Sequence, residues 1–313
     1  MDAEMMNGIS LKKQKPLVLI DNKVYPSLEE EVITALNVLS KATEDTDEGF
    51  FLLVEGSRID HAGHQNDPHA QVREVLAYDK AFKAVVDFAD STDVETIIVS
   101  TSDHETGGAS VALQLSESYP EYVWKPDVLL NATKSGEYVT RKLASYKASS
   151  KKDLYHFIKT EILERDLGIT DYTEQDVLNI VAPGANPHNI LNKLVSDRAQ
   201  IGWATHGHSA VDVNIYGYSN TENGKSLLYK YLGGNRENTE IGRFWEAITG
   251  SDYHKITNLL EGTIHHTVSA ESLDDDAATE LLGGFNEHDT LDPEYATFKA
   301  KVAEFKEHVE QLS

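Results

Sequence analysis

The sequence predicts an α/β protein, a three-layer sandwich around a mostly parallel central sheet with an inserted subdomain. Three observations carry the prediction. Two continuous apolar runs, residues 50–54 and 96–100, read as strands covered on both sides. A long amphipathic helical pattern lies between them, so strand, helix and strand form a right-handed βαβ unit. From residue 109 to about 200 the texture turns polar and rich in Lys and Ser, which reads as an insertion rather than core sheet.

Taken in order, residues 15–20 (Lys-Pro-Leu-Val-Leu-Ile) read as a short buried strand or chain entry. Ser27 and Glu30 then form a Ser-x-x-Glu capping box, and Leu28, Val32, Ala35, Leu36 and Leu39 fall on one face of the helix it opens. After the 50–54 strand, Asp67-Pro68 supplies a cap and a first-turn proline for a helix running through Val72, Val75, Leu76, Phe82, Val85 and Val86. Asp90-Ser91-Thr92 reads as the turn before the next strand. Within the insertion one helical stretch stands out, around residues 154–167. The core resumes at Ile201, with residues 211–218 alternating as an edge-like strand, followed by a helix over 239–248. Residues 271–276 are acidic and read as a solvated loop. Asp292-Pro293 caps a last helix bearing Tyr295, Phe298, Val302, Phe305 and Val309. Three segments result: core at 1–108, inserted subdomain at 109–200, and return strand with carboxyl-terminal helices at 201–313.

Composition narrows the function. With 52 acidic against 28 basic residues, the formal charge of -24 disfavours recognition of a nucleic-acid backbone, and any phosphate pocket would need local cations such as metals. No stretch approaches the roughly 20 apolar residues of a membrane helix. The chain has no cysteine, so zinc would be held by His, Asp and Glu, and the compartment stays open. One Asn-x-Thr sequon, Asn131 to Thr133, carries little weight because such tripeptides also arise by chance.

In an open α/β sheet, ligands gather beyond the carboxyl ends of the strands. The first predicted strand runs into Glu55-Gly-Ser-Arg-Ile-Asp60-His-Ala-Gly-His64, the second into Ser102-Asp103-His104-Glu105-Thr-Gly-Gly108. Carboxylates and imidazoles thus converge on one edge. Zinc accepts this mixture, while harder magnesium prefers a carboxylate such as Glu55 plus waters. Each residue alone has a plainer reading: Asp60 and His64 as a capping pair, residues 103–105 as a helix start. Their conjunction favours a metal site.

Residues 54–64 and 101–108 resemble the signature segments of alkaline phosphatases. Residues 205–213 (Thr-His-Gly-His-Ser-Ala-Val-Asp-Val) resemble the family's later zinc-histidine motif, and Asn238-Thr-Glu-Ile241 is also similar. The likeness is nearest to the fungal vacuolar type. It implies hydrolysis of phosphate monoesters at a site of two zinc ions and one magnesium ion. By that resemblance Asp60, His64 and His208 are ligands of one zinc, Asp103 and His104 of the second, and Glu55 of magnesium. Arg58 would hold the loop through a salt bridge, and His61, His69 and His206 would orient ligands or bond locally. A homodimer is implied, and a vacuolar location for a protein anchored by an amino-terminal membrane helix.

The resemblance also carries a departure. In the family the serine nucleophile, a bridging aspartate, further magnesium ligands and the phosphate-binding arginine precede the first matched segment. The expectation is therefore a truncated sequence, near-inactive alone. Two rivals stand beside the phosphatase reading: a phosphodiesterase or metal-dependent mutase of the same superfamily, and a non-catalytic metal-binding or dimerising product.

Overall fold

The structure, a computed structural model, describes residues 25–261. In chain order these form α1 (Leu28–Thr43), α2 (Arg58–His64), α3 (Pro68–Asp90), β1 (Ile97–Ser100), β2 (Ser110–Val111), α4 (Pro126–Asn131), α5 (Gly136–Ala144) and α6 (Lys151–Phe157). A π-helical stretch (Ile158–Asp166) continues α6. Then come α7 (Glu174–Ile180), α8 (Pro187–Ala199), β3 (Ile201–Gly202), β4 (Tyr216–Ser219), α9 (Glu222–Leu232), α10 (Thr239–Thr249) and α11 (Tyr253–Glu261). The predicted strand at 15–20, the acidic loop at 271–276 and the last helix lie outside the described residues. Among the described residues, no helix is long and apolar enough to cross a membrane.

The chain divides into two compact units. Of the described residues, the first holds 25–84 and 106–206. Its α1 opens on the expected capping box: the Glu30 N–H donates to Ser27 Oγ at 3.3 Å, and the Ser27 N–H donates to Glu30 Oε2 at 2.7 Å. Val32 and Leu36 are its buried positions. Residues 109–200 are richer in helices than their polar texture suggests, because four helix starts carry caps: Ser135, Ser150, Thr173 and Asn186 each accept a hydrogen bond from a first-turn N–H. Of these, α5 and α7 pack against α8, while α6 packs against the π-helical stretch that follows it, and Leu143, Leu154, Ile158, Ile162, Leu163 and Leu191 are fully buried. The predicted helical stretch at 154–167 spans the end of α6 and the π-helical residues. Gln200, at φ 57, ends α8 in the left-handed conformation, and β3 then pairs antiparallel with β2.

The second unit holds residues 85–105 and 207–261 of the described chain. As expected, α3 ends at Asp90 and Ser91 turns the chain toward β1. β1 pairs antiparallel with β4, Ile97 opposite Ser219 and Ser100 opposite Tyr216. Asn220 ties the turn to the pair: its Oδ1 accepts from the Thr96 N–H at 2.9 Å, and its Nδ2 donates to the carbonyls of Ala89, Thr92 and Val94. α9 and α10 supply the core, in which Leu228, Leu232 and the fully buried Phe244 pack with Ile97, Val99 and Trp245.

Three expectations need correction. The edge-like strand expected at 211–218 forms only as β4, Tyr216–Ser219. Residues 50–54 form no strand, and Phe50, Phe51 and Leu53 are exposed. An apolar run becomes a buried strand only where neighbouring strands take up its backbone groups, and the ladders among the described residues join β1 to β4 and β2 to β3, both antiparallel. On α3, Val72, Val75 and Leu76 are exposed while Ala70, Ala81 and Ala89 are buried. Phe82, Val85 and Val86 are half-buried, so the apolar residues later in the helix share its packing with the small ones.

Candidate metal centre

In the first unit the signature segment folds as α2. Residues four apart lie on one helical face, so Asp60 and His64 are neighbours, with Asp60 Oδ2 3.4 Å from His64 Nε2. Two ligands of a tetrahedral zinc, each about 2.0–2.1 Å from the metal, stand about 3.3 Å apart. The pair therefore has the spacing of adjacent zinc ligands, and its donors are of the oxygen and nitrogen kinds zinc takes.

Both side chains are held by contacts distant in sequence. The Thr106 hydroxyl donates to Asp60 Oδ1 at 2.5 Å, and Thr106 is buried. His64 Nδ1 lies 2.5 Å from the carbonyl oxygen of His206, and His206 Nδ1 lies 2.7 Å from the carbonyl oxygen of His64. A carbonyl only accepts, so each ring donates from Nδ1. Between α2 and α3, Asn66 adopts φ 50, a left-handed conformation that asparagine tolerates. Its Nδ2 donates to the carbonyls of Gly63 and Thr205 at 3.0 and 2.9 Å. Glycine permits the close packing: a Cβ on Gly63 would meet Thr106 at 3.0 Å, and one on Gly107, at φ 93, would meet the Trp203 ring at 2.6 Å.

At the start of α3 lies a buried polar cluster. Asp67 caps α3 as expected, accepting from the Ala70 N–H at 2.9 Å, and it also accepts from the Gly136 N–H at 2.6 Å. His69 Nδ1 sits 2.8 Å from Asp67, its Nε2 2.6 Å from the Lys134 carbonyl, and both residues are wholly buried. Burial alone would raise the Asp67 carboxyl, but the charge and hydrogen bond of His69, with the two N–H donors, outweigh it and hold it below the usual range. His188 is half-buried, with its ring Nε2 shut from water. Burial pushes its pKa down to about 4, helped by His206 and His69 and opposed by Asp67.

In the second unit, β1 leads to Asp103 and His104 as predicted, with Asp103 Oδ2 3.2 Å from His104 Nε2. The His104 and His208 rings stack, centroids 3.4 Å apart and planes 20° apart. Glu105 receives the Ser209 N–H at 3.2 Å and the Ser209 hydroxyl, which fixes the residue after His208. Within the first unit Asp60 therefore neighbours His64, and within the second Asp103 neighbours His104, whose ring stacks on that of His208. Glu55 is exposed in the loop before α2. Arg58 Nη1 lies 3.3 Å from His61 Nδ1, and the Arg58 charge acts on the Glu74 carboxylate, which is the nearest thing to the expected salt bridge. Residues 103–105 start no helix. The sequence reading assigned no part to Thr106 or Glu105, although both lie inside the signature segment.

Residues 13–250 match the alkaline phosphatase family model. The chain belongs to the alkaline phosphatase family. It is 55% identical over 254 residues to the repressible alkaline phosphatase of Saccharomyces cerevisiae, covering 78% of this chain and 45% of that one. It is 42% identical over 268 residues to an alkaline phosphatase of Schizosaccharomyces pombe, covering 84% and 48%. Both bear out the expected likeness to the fungal type. The structure resembles a cold-active alkaline phosphatase from a psychrophilic Shewanella species, with TM-score 0.59 and 25% identity over 75% of this chain and 52% of that one. This supports the α/β fold of the family. The chain spans about half the length of the relatives it matches.

Proposed function

We propose that this alkaline phosphatase family chain carries zinc and magnesium ligands of a phosphomonoester hydrolase. Asp60, His64 and His208 hold one zinc, Asp103 and His104 contribute to a second, and Glu55 contributes to magnesium. The observation that carries the reading is the donor spacing within each unit, 3.4 Å for Asp60 and His64 and 3.2 Å for Asp103 and His104, against about 3.3 Å for adjacent ligands on tetrahedral zinc. When bound, zinc supplies Lewis acidity and makes a bound water acidic. The chain's own residues position the donors. Thr106 holds one Asp60 oxygen so that the other faces His64, and the His206 carbonyl holds His64 Nδ1 so that Nε2 faces Asp60. In a chain of charge -24, an anionic phosphate ester needs such cations to bind.

The test joins this chain to the part of the Saccharomyces cerevisiae relative that the match leaves uncovered and measures aryl phosphate hydrolysis with zinc and magnesium. Hydrolysis should appear and fall to background in Asp60→Ala, His104→Ala and His208→Ala. Hydrolysis that persists in those variants, or that ignores chelation of zinc, would show that these residues are not the metal ligands.

A further inference from the structure

We infer that His206 is a positioning residue, whose ring locks the helix end carrying His64 so that His64 presents Nε2 to a metal. The inference rests on the metal reading of Asp60 and His64. Its basis is a reciprocal clasp between segments 142 residues apart: His64 Nδ1–H donates to the His206 carbonyl at 2.5 Å, and His206 Nδ1–H donates to the His64 carbonyl at 2.7 Å.

The two bonds have different consequences. The first uses a backbone oxygen and would survive loss of the His206 side chain, provided the backbone stays in place. The second is made by the His206 ring and keeps that backbone in place. His64 is the last residue of α2, where carbonyls lack an intrahelical partner. The His206 ring thus satisfies a carbonyl at the helix end and, by the same contact, aligns its own carbonyl with His64 Nδ1. With Nδ1 committed, His64 can offer only Nε2, the nitrogen that faces Asp60 at 3.4 Å. Metal-bound histidines are commonly oriented in this way by a partner on the other ring nitrogen.

The neighbouring contacts support the clasp as a built feature. Asn66 Nδ2 reaches the Thr205 carbonyl at 2.9 Å, and the N–H groups of Ala204 and Thr205 both donate to the Gly107 carbonyl, at 3.0 and 3.2 Å. Residues 204–206 are thereby held beside the α2 end and beside the turn that follows Thr106. A lone rotamer choice at His206 would not require these three backbone anchors. The geometry also gives His206 a role distinct from that of His208, since the His206 ring is turned toward the His64 backbone.

Zinc affinity of the 313-residue chain, measured by competition with a chromophoric chelator, tests the role. His206→Ala should weaken binding roughly 10- to 100-fold. His206→Asn should restore it to within a few-fold, because the asparagine Nδ2 can take the place of the histidine Nδ1 as donor. In the metal-free protein, two-bond nitrogen–proton NMR correlations should show His206 as the Nδ1–H tautomer. Unchanged affinity in His206→Ala, failure of asparagine to rescue, or a His206 ring protonated only on Nε2 overturns the proposal. His64→Ala separates the two readings. Zinc affinity that is untouched in His64→Ala overturns the metal reading and this role with it, whereas affinity lost in His64→Ala but kept in His206→Ala overturns the positioning role alone.

Discussion

Thr106 donates its hydroxyl hydrogen to Asp60 Oδ1 at 2.5 Å, a bond that joins residues 46 apart in sequence. Hydroxyl-to-carboxylate bonds of this length are charge-assisted and among the stronger neutral-to-ion contacts. Thr106→Val keeps the shape and removes the donor, so Asp60 is free to rotate. Zinc affinity should fall roughly 10- to 100-fold while the fold persists, and Thr106→Ser should retain most of it. Equal affinity in the valine and threonine proteins, read by calorimetric titration, would show that the bond orients nothing.

His188 sets an acid limit on the stability of the first unit. Its folded pKa is about 4, below the ordinary 6.5, with burial as the main cause. Between these values the unfolded chain binds a proton that the folded chain does not, so stability falls as pH drops from about 6.5 toward 4. The loss should reach roughly 2 to 3 kcal/mol, at about 1.4 kcal/mol per pKa unit. The nearby Asp67 acts in a lower window: its carboxyl is held below the usual range, so its contribution is present above about 3.9 and is lost only as pH falls further. Urea unfolding at a series of pH values should therefore show a slope between pH 6.5 and 4 that flattens in His188→Gln. An identical slope in that variant would assign the pH dependence to other groups.

Gly107 combines a positive φ of 93° with two close neighbours, since an added Cβ would lie 2.6 Å from the Trp203 ring and 3.0 Å from the Gly63 carbonyl oxygen. Gly234 has a similar φ of 84° with nothing within 4 Å. Gly107→Ala should cost about 1–3 kcal/mol for the backbone conformation and a further 1–3 kcal/mol for overpacking, while Gly234→Ala should show the first part alone. Denaturant midpoints of the two variants measure the difference. Equal losses would mean that Trp203 moves aside freely.

The parts of this molecule that were legible in the sequence are those made by local bonds. The capping box of Ser27 and Glu30 joins residues three apart, and Asp67 caps α3 through the Ala70 N–H, again three residues on. The pairing of Asp60 with His64 follows from helical periodicity alone, once α2 forms. The caps at Ser135, Ser150, Thr173 and Asn186 were equally local, and the polar composition of residues 109–200 hid them: a texture averaged over ninety-odd residues masks single positions that start helices. The alkaline phosphatase motifs were legible for the same reason, as short runs of fixed order.

Other features depend on where distant segments come to lie. Residues 50–54 have the composition of a buried strand, yet a strand exists only if another backbone runs alongside, and composition carries no information about that neighbour. Nothing in the spacing of His64 and His206 announces that each ring bonds the other's carbonyl across 142 residues, or that Thr106 reaches Asp60. Residue types pointed to the proposed metal chemistry, because only certain side chains can donate to zinc. Tautomer and orientation were set by tertiary contacts, because a hydrogen bond depends on distance and direction, and between remote segments both are products of the whole fold.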